Sequence, residues 1–328
     1  MEEKYQPPFN ITGDMLSLVA DIMEILGELK GVSNLKKMPR LRKVNRLKSI
    51  HSSLAIENNT LSLSQVTDVI DGKRVLAPYE DILAVKNASS AYKIMNKVDP
   101  YSIKDLLKVH FVMMNGLVSE AGQLRTNQVG VFNEKGEVVH LAPSHTFVPT
   151  LLDNLFDWVK ESETHMLIKS CVFHYEFEFI HPFRDGNGRM GRLWQTILLS
   201  SWKELFQFVP IENIIMKNQE EYYRAITLST SEGKSNIFIL FMLKSIKSAL
   251  EEIMAQTETE KKNLPKEVEN LLKVMEDYPE SSETLMQKLG LKSREGFRGN
   301  YLNPALKLGV IKRTSEKITS KNQKYIKV

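Results

Sequence analysis

The sequence predicts a mainly α-helical protein with one β-hairpin set among the helices and a small helix-turn-helix and wing at the C-terminal end. Apolar residues recur at helical spacing through most of the chain. The period changes to short β-prone runs only between Gly122 and Pro149, and the last sixty or so residues carry a pattern of their own. The 328 residues suffice for two or three domains, and 42% hydrophobic with 26% charged content is that of a globular protein. A formal charge of +4 is too mild to argue for nucleic acid across the whole chain. The one cysteine, Cys171, sits in an apolar run and reads as core. It rules out an intramolecular disulfide, which fits a reducing, cytoplasmic setting. No basic-then-apolar leader opens the chain and no apolar run approaches a membrane span, so no membrane partner is expected.

In order, Met15, Leu18, Val19, Ile22, Ile25, Leu26 and Leu29 predict a helix from Ile11 to Leu29, capped by Asp14 or Thr12 and ended by Gly31. Pro39 suits the first turn of a second helix that runs to about Glu57. Its basic face of Arg40, Arg42, Lys43, Arg46 and Lys48 reads as solvated. Ser53 and Glu57 lie four apart, on one face, and Asn58 is a left-handed cap type. Short and long helices follow over Gln65–Ile70, Glu80–Met95 and, capped by Ser102, on to Leu117, with His110 a core or polar-contact histidine. Val129–Phe132 and Val138–Leu141, joined by Asn133-Glu134-Lys135-Gly136, read as a hairpin. Helices resume over Val148–Lys160 and from Thr164, then over Tyr222–Ile226 and Ile237–Ile253, with a polar helix tail or linker from Gln256 to Lys266. Glu267–Met275, Ser281–Gly290 and Phe297–Leu308 are helical, and Gly309–Ile311 with Lys324–Ile326 are the strands of a wing.

The stretch with chemistry in it is HPFRDGNGRMGR, His181 to Arg192. Pro182 stops a helix ladder after His181. Asp185 supplies a carboxylate, and Gly186-Asn187-Gly188 lets successive N–H groups point at one anion. Asn187 is an N-cap type, and the helix it opens aims its positive dipole end at the same spot. Arg189 and Arg192 are three apart and can both grip phosphate oxygens. A hydroxyl attacking a phosphoryl group needs a base, a divalent metal and fixed positive charge, and these residues supply all three.

The stretch resembles an intact signature of the Fic family: HPF, two residues, GNGR, two residues, R, with an acidic residue before the first glycine. Members are mostly AMP transferases that move the adenylyl group of ATP onto a protein Ser, Thr or Tyr hydroxyl. The resemblance implies His181 as base, Asp185 as Mg²⁺ ligand, Gly186, Asn187 and Gly188 as anion hole, and Arg189 and Arg192 as ligands of the β- and γ-phosphates. It also implies that Ser53, Glu57 and Asn58 form the family's inhibitory motif, with Glu57 paired to Arg192 where the γ-phosphate would sit. The hairpin is similar to the family's flap, so Val138, Val139, His140 and Leu141 would pair with a target backbone. Tyr223 would border the adenine. Ser229-Thr230-Ser231 stands where the family often has an Asn that contacts the nucleotide, which leaves the base preference open.

The expected organisation is an N-terminal helical region over 1–105 holding the inhibitory helix (motif 53–58). A Fic-fold helical core over 106–255 follows, with the flap at about 122–145, and then a winged-helix domain over 265–328. Expected partners are ATP with Mg²⁺, a target protein that includes the chain itself, and a second copy in a homodimer. For the winged helix, Arg294, Arg298 and Lys307 could face the phosphates of a nucleic acid, while a packing or protein-contact role is the narrowly favoured reading. Removal of AMP, transfer of another nucleotide-linked group, and a DNA-binding regulator with a Fic sensor domain are the alternative functions.

Overall fold

The computed structural model describes residues 5–32, 38–132, 138–262, 265–315 and 323–327. The chain divides into two compact units: Met1–Met23 with Asn45–Leu250, and Glu24–Val44 with Glu251–Val328. It is mainly helical. In order the elements are α1 (Gly13–Val32), α2 (Pro39–Ile56), α3 (Leu63–Ile70), α4 (Tyr79–Ile94), α5 (Ile103–Met114), strands β1 (Gly130–Phe132) and β2 (Val138–Leu141), α6 (Val148–Glu161), α7 (Met166–Ile180), α8 (Asn187–Trp202), α9 (Ile211–Lys217), α10 (Gln219–Glu232) and α11 (Asn236–Lys262). The second unit adds α12 (Lys266–Val274), β3 (Glu280–Ser281), α13 (Ser282–Lys288), α14 (Arg294–Gly296), a π-helical turn (Phe297–Leu302), α15 (Asn303–Lys307), β4 (Ile311–Arg313) and β5 (Lys324–Lys327). Among the described residues no helix is long and apolar enough to cross a membrane.

The first unit is built on α7 and α8, which pack against each other. Both are buried on nearly every side, and α8 takes Arg189, Arg192, Gln195 and Thr196 into the interior with its apolar residues. Phe173 meets Phe156 edge-on and Phe177 in a stack, and Trp194 sends its indole N–H to the Pro100 carbonyl (3.1 Å). Cys171 lies fully buried here, and burial pushes its thiol pKa up. β1 and β2 form an antiparallel ribbon with Val131 opposite His140 and Gly130 opposite Leu141. The predicted turn, Asn133 to Gly136, lies outside the described residues, as do the side chains of β2.

Several boundaries differ from the sequence reading, for local reasons. Thr12 caps α1 by accepting from the Met15 N–H (3.3 Å), and the helix passes Gly31 to Val32. α3 begins at Leu63 because Ser62 and Gln65 form a reciprocal capping box. α5 stops at Met114 rather than Leu117, since Gly116 adopts φ +75°. α7 begins at Met166, capped by His165 rather than entered from Thr164. Arg46 is not on a solvated face: it turns inward, donates to the Tyr92 carbonyl (2.8 Å) and lies over that ring. Of the two readings of the stretch from Gln256, helix tail or linker, the first holds as far as Lys262, where α11 ends.

The second unit has the helix–strand–helix–helix–strand–strand order of a winged helix, closed over Val268, Leu271, Leu285, Phe297, Leu302, Ala305, Ile311 and Tyr325. Its sheet order is β3-β5-β4, antiparallel throughout. The short strand β3 has no signal in the sequence: two residues are too few for a period. The predicted helix from Phe297 begins at Arg294 instead, capped by Ser293, and contains the π-helical turn.

Arg125 ties the hairpin to the motif. Buried, it donates to the carbonyls of His181 (2.7 Å), Asn127 (2.9 Å), Pro143 (2.5 Å) and Ile180 (3.3 Å), and its own N–H reaches the Pro182 carbonyl (2.9 Å). Arg125→Ala would orphan these acceptors and is expected to cost about 2–4 kcal/mol. Urea unfolding measures it, and a loss within experimental scatter would show that the clamp is dispensable.

Candidate active site

The motif forms the connection between α7 and α8. His181 ends α7 in the left-handed region (φ +50°), with its N–H still bonded to the Phe177 carbonyl (2.9 Å). Its Nδ1 lies 3.3 Å from the Glu178 carbonyl. A carbonyl only accepts, so Nδ1 carries the proton and Nε2 is the basic nitrogen. Phe183 is fully buried and stacks on His110, centroids 3.6 Å apart and planes within 4°. His110 accepts from the Gly122 N–H at Nδ1 (2.8 Å) and donates from Nε2 to the Asp185 carbonyl (3.0 Å). Burial pushes its pKa down to about 4, which keeps the ring neutral and this pattern intact.

Gly186, at φ +84°, is the N-cap of α8. Asn187 is therefore not the cap. Its buried amide does a different job, accepting from the Phe183 N–H (2.9 Å) and donating to the Phe183 carbonyl (2.8 Å). It locks the HPF turn against the helix start and leaves backbone N–H groups, rather than its side chain, for an anion. Asp185 is half exposed, and its Oδ1 accepts from the Gly186 N–H and from Arg189 Nη2 (3.0 Å). Arg184 faces outward and pairs with Glu120.

Arg192 is buried and engaged by the end of α2. It donates from Nε to Ser53 Oγ (3.2 Å), and from Nη2 to the Ser53 carbonyl (3.0 Å) and Glu57 Oε1 (2.7 Å). Burial alone would lower the guanidinium pKa, but Glu57, Tyr222 and Glu178 outweigh it and hold the pKa above its usual value. The geometry that delivers Glu57 is a Schellman ending: Asn58 at φ +63° donates to the Ala55 carbonyl, and Asn59 donates to that of Leu54. Gly188 is required for the approach, since a Cβ there would lie 2.5 Å from Glu57 Oε1 and 2.9 Å from Arg192 Nη1. Ser53, Glu57 and Asn58 thus meet Gly188 and Arg192 at one place.

Tyr222 and Tyr223 divide. Tyr222 is buried with its hydroxyl on His174 Nε2 (3.1 Å), whereas Tyr223 is 41% exposed. β2 lies against α10, the helix that carries Tyr223. Ser229 is buried and accepts from the Phe238 N–H (3.0 Å), and Thr230 meets the Tyr175 hydroxyl, so both are committed to packing. Among the described residues no group of three His, Cys, Asp or Glu side chains could hold a metal ion. Asp185 alone offers a carboxylate at the motif, which suits Mg²⁺ bound chiefly through substrate phosphates.

Sequence reasoning missed Glu178 and His174, which lie beneath the site inside an apolar run. Glu178 Oε1 is buried without a hydrogen-bond partner. Burial pushes its pKa up to about 8, opposed by Arg192 and reinforced by Glu57. His174, with Nδ1 on Gln195 Oε1 (2.7 Å), is driven down to about 3 by burial. Burial thus favours the neutral form of both.

A helical core, a glycine-rich turn at a buried helix start and a buried arginine paired with a glutamate make up a Fic-type site. The Fic/DOC family model matches residues 100–199, and the model for the Fic-like C-terminal domain (Filamentation induced by cAMP protein) matches 266–326. A crystal structure of a Fic family protein from Desulfovibrio desulfuricans G20 is 44% identical, with TM-score 0.77, covering 99% of this chain and 98% of that one. The chain belongs to the Fic family. The protein adenylyltransferase fic-1 of Caenorhabditis elegans is 26% identical over 295 residues, 86% of this chain and 54% of the relative. The protein adenylyltransferase Fic of Drosophila willistoni is 30% identical over 217 residues, 62% of this chain and 40% of the relative. The chain thus spans about half or less of the length of these curated relatives. Solved Fic-1 of C. elegans (residues 134–508), at 20% identity and TM-score 0.63 over 75% of this chain and 73% of that one, shares the fold.

The raised pKa of Glu178 has a sign that can be checked. Its folded value lies above the unfolded one, so its contribution to stability is full below about pH 4.5 and is lost as pH rises through about 8. Glu178→Gln is expected to flatten the fall of unfolding free energy over that window, by at most about 1.4 kcal/mol per pH unit. Parallel slopes in the two proteins, from chemical unfolding at several pH values, would contradict it.

Proposed function

We propose that the chain is a protein adenylyltransferase restrained by its own α2. The observation that carries the reading is the Glu57–Arg192 pair (2.7 Å) closing the far end of the anion cradle. The names of the related adenylyltransferases support it. In the proposed reaction His181 Nε2 takes the proton of a Ser, Thr or Tyr hydroxyl as its oxygen attacks the α-phosphorus of ATP. The bond to the bridging oxygen breaks, and pyrophosphate leaves. The N–H groups from Gly186 to Gly188 receive the phosphates, and Arg189 and Arg192 hold the β- and γ-phosphates. Asp185 would hold Mg²⁺, whose contribution when bound is to neutralise phosphate charge. Tyr223 borders the adenine, and β2 offers its edge to the target backbone.

Glu57 and a γ-phosphate are both anions suited to one guanidinium, so Glu57 excludes the productive pose of ATP. Incubation with ATP and Mg²⁺, followed by intact-mass spectrometry, tests this. Glu57→Gly is expected to raise self-modification by about tenfold or more, and His181→Ala in that background to abolish it. Equal incorporation by wild type and Glu57→Gly would remove the inhibitory role.

A further inference from the structure

The second unit carries a surface that the transfer reaction does not use. Its third helix is continuous over 294–307 but contains the π-helical turn, Phe297–Leu302. That turn has a consequence for both faces. Phe297, Leu302 and Ala305 are buried, at spacings of five and three. In a regular helix a step of five rotates a side chain well off the face, whereas in a π turn it keeps it aligned. The same extra residue aligns the opposite face. Arg294 and Arg298 are four apart, Arg298 and Asn303 are five apart across the π turn, and Asn303 and Lys307 are four apart again. All four are exposed. They form one stripe, about 20 Å long at 1.5 Å per residue.

The surroundings have the same sign. The described residues of 291–315 and 323–327 hold eight basic side chains and one acidic, Glu295. Lys312 and Arg313 on β4, and Lys324 at the start of β5, are exposed. Among the described residues Arg294 lies 3.6 Å from Glu283, both side chains at least 80% exposed, so water can replace that contact at little cost, and Lys327, off the stripe, feels Glu280. Ser281 caps α13 and Ser293 caps α14, which sets the angle at which the stripe-bearing helix leaves the turn.

We propose that this stripe enters the major groove of double-stranded DNA, with the basic β4–β5 wing on the adjacent phosphates. Arginine and lysine suit guanine edges and phosphates, and Asn303, centred between cations, suits an adenine edge. A stripe of three cations and an amide, with no acid in it, is ill suited to an apolar protein contact. A duplex, with its dense and regular charge, complements it. The surface is independent of the adenylyl site, and either reading can fail alone.

The test is fluorescence anisotropy of the full chain with labelled duplex DNA of mixed sequence, from low to physiological salt. Single-stranded DNA and duplex RNA are run beside it. Binding to duplex DNA is expected to weaken steeply with salt. The triple variant Arg294→Gln, Arg298→Gln, Lys307→Gln should weaken it at least about tenfold and lower the salt slope by about one per lost phosphate contact. Lys312→Gln with Arg313→Gln is a second variant, away from the helix, expected to act in the same direction. Lys86→Gln, Lys104→Gln, Lys108→Gln removes the same charge from exposed positions elsewhere and should leave binding unchanged. Absence of saturable binding at low salt, tighter binding to single strands or RNA, or equal losses in the stripe and control triples would each overturn the proposal.

Discussion

A buried guanidinium has to be answered by charge and by hydrogen bonds, and the first unit answers Arg192 with the end of α2. One donor goes to a hydroxyl, and Nη2 is shared between a carbonyl and a carboxylate. A carboxylate alone would be exchangeable for any anion, and a carbonyl alone would leave the charge uncompensated. Together they fix both α2 and the first turn of α8. The proposed restraint and the proposed phosphate site are therefore the same electrostatic demand met by two different anions.

The rest of the motif is held from outside the proposed phosphate path. Asn187 closes the HPF turn, His110 supports it from beneath, and Arg125 gathers the carbonyls at its entrance. Each uses its polar atoms on backbone groups, where a shift of one would propagate to the others. Glu178 and His174 lie buried below Arg192, and Glu57 is the largest of the charges that answer its guanidinium.

The sequence made the helices legible because their apolar residues repeat at 3.6, and the hairpin because the period breaks. It made His181 to Arg192 legible because the residue types lie consecutively. The pairing of Glu57 with Arg192 spans 135 positions, which no local period connects; only resemblance anticipates it. Asn187 has the composition of a cap, yet Gly186 takes that place because the chain needs positive φ there. Arg46 belongs to a basic run, yet a buried carbonyl claims it. β3 and the π-helical turn leave no trace in composition, since both depend on what packs across from them.

The central claim, that Glu57 stands where a γ-phosphate would, is tested most directly by calorimetric titration with ADP and a non-hydrolysable ATP analogue. Wild type and Glu57→Gln would be compared. Only the γ-phosphate competes with Glu57, so the preference for the triphosphate over the diphosphate should be small in wild type and rise in the variant. An unchanged ratio would mean that Arg192 is not the shared ligand, and the account of the restraint would be wrong.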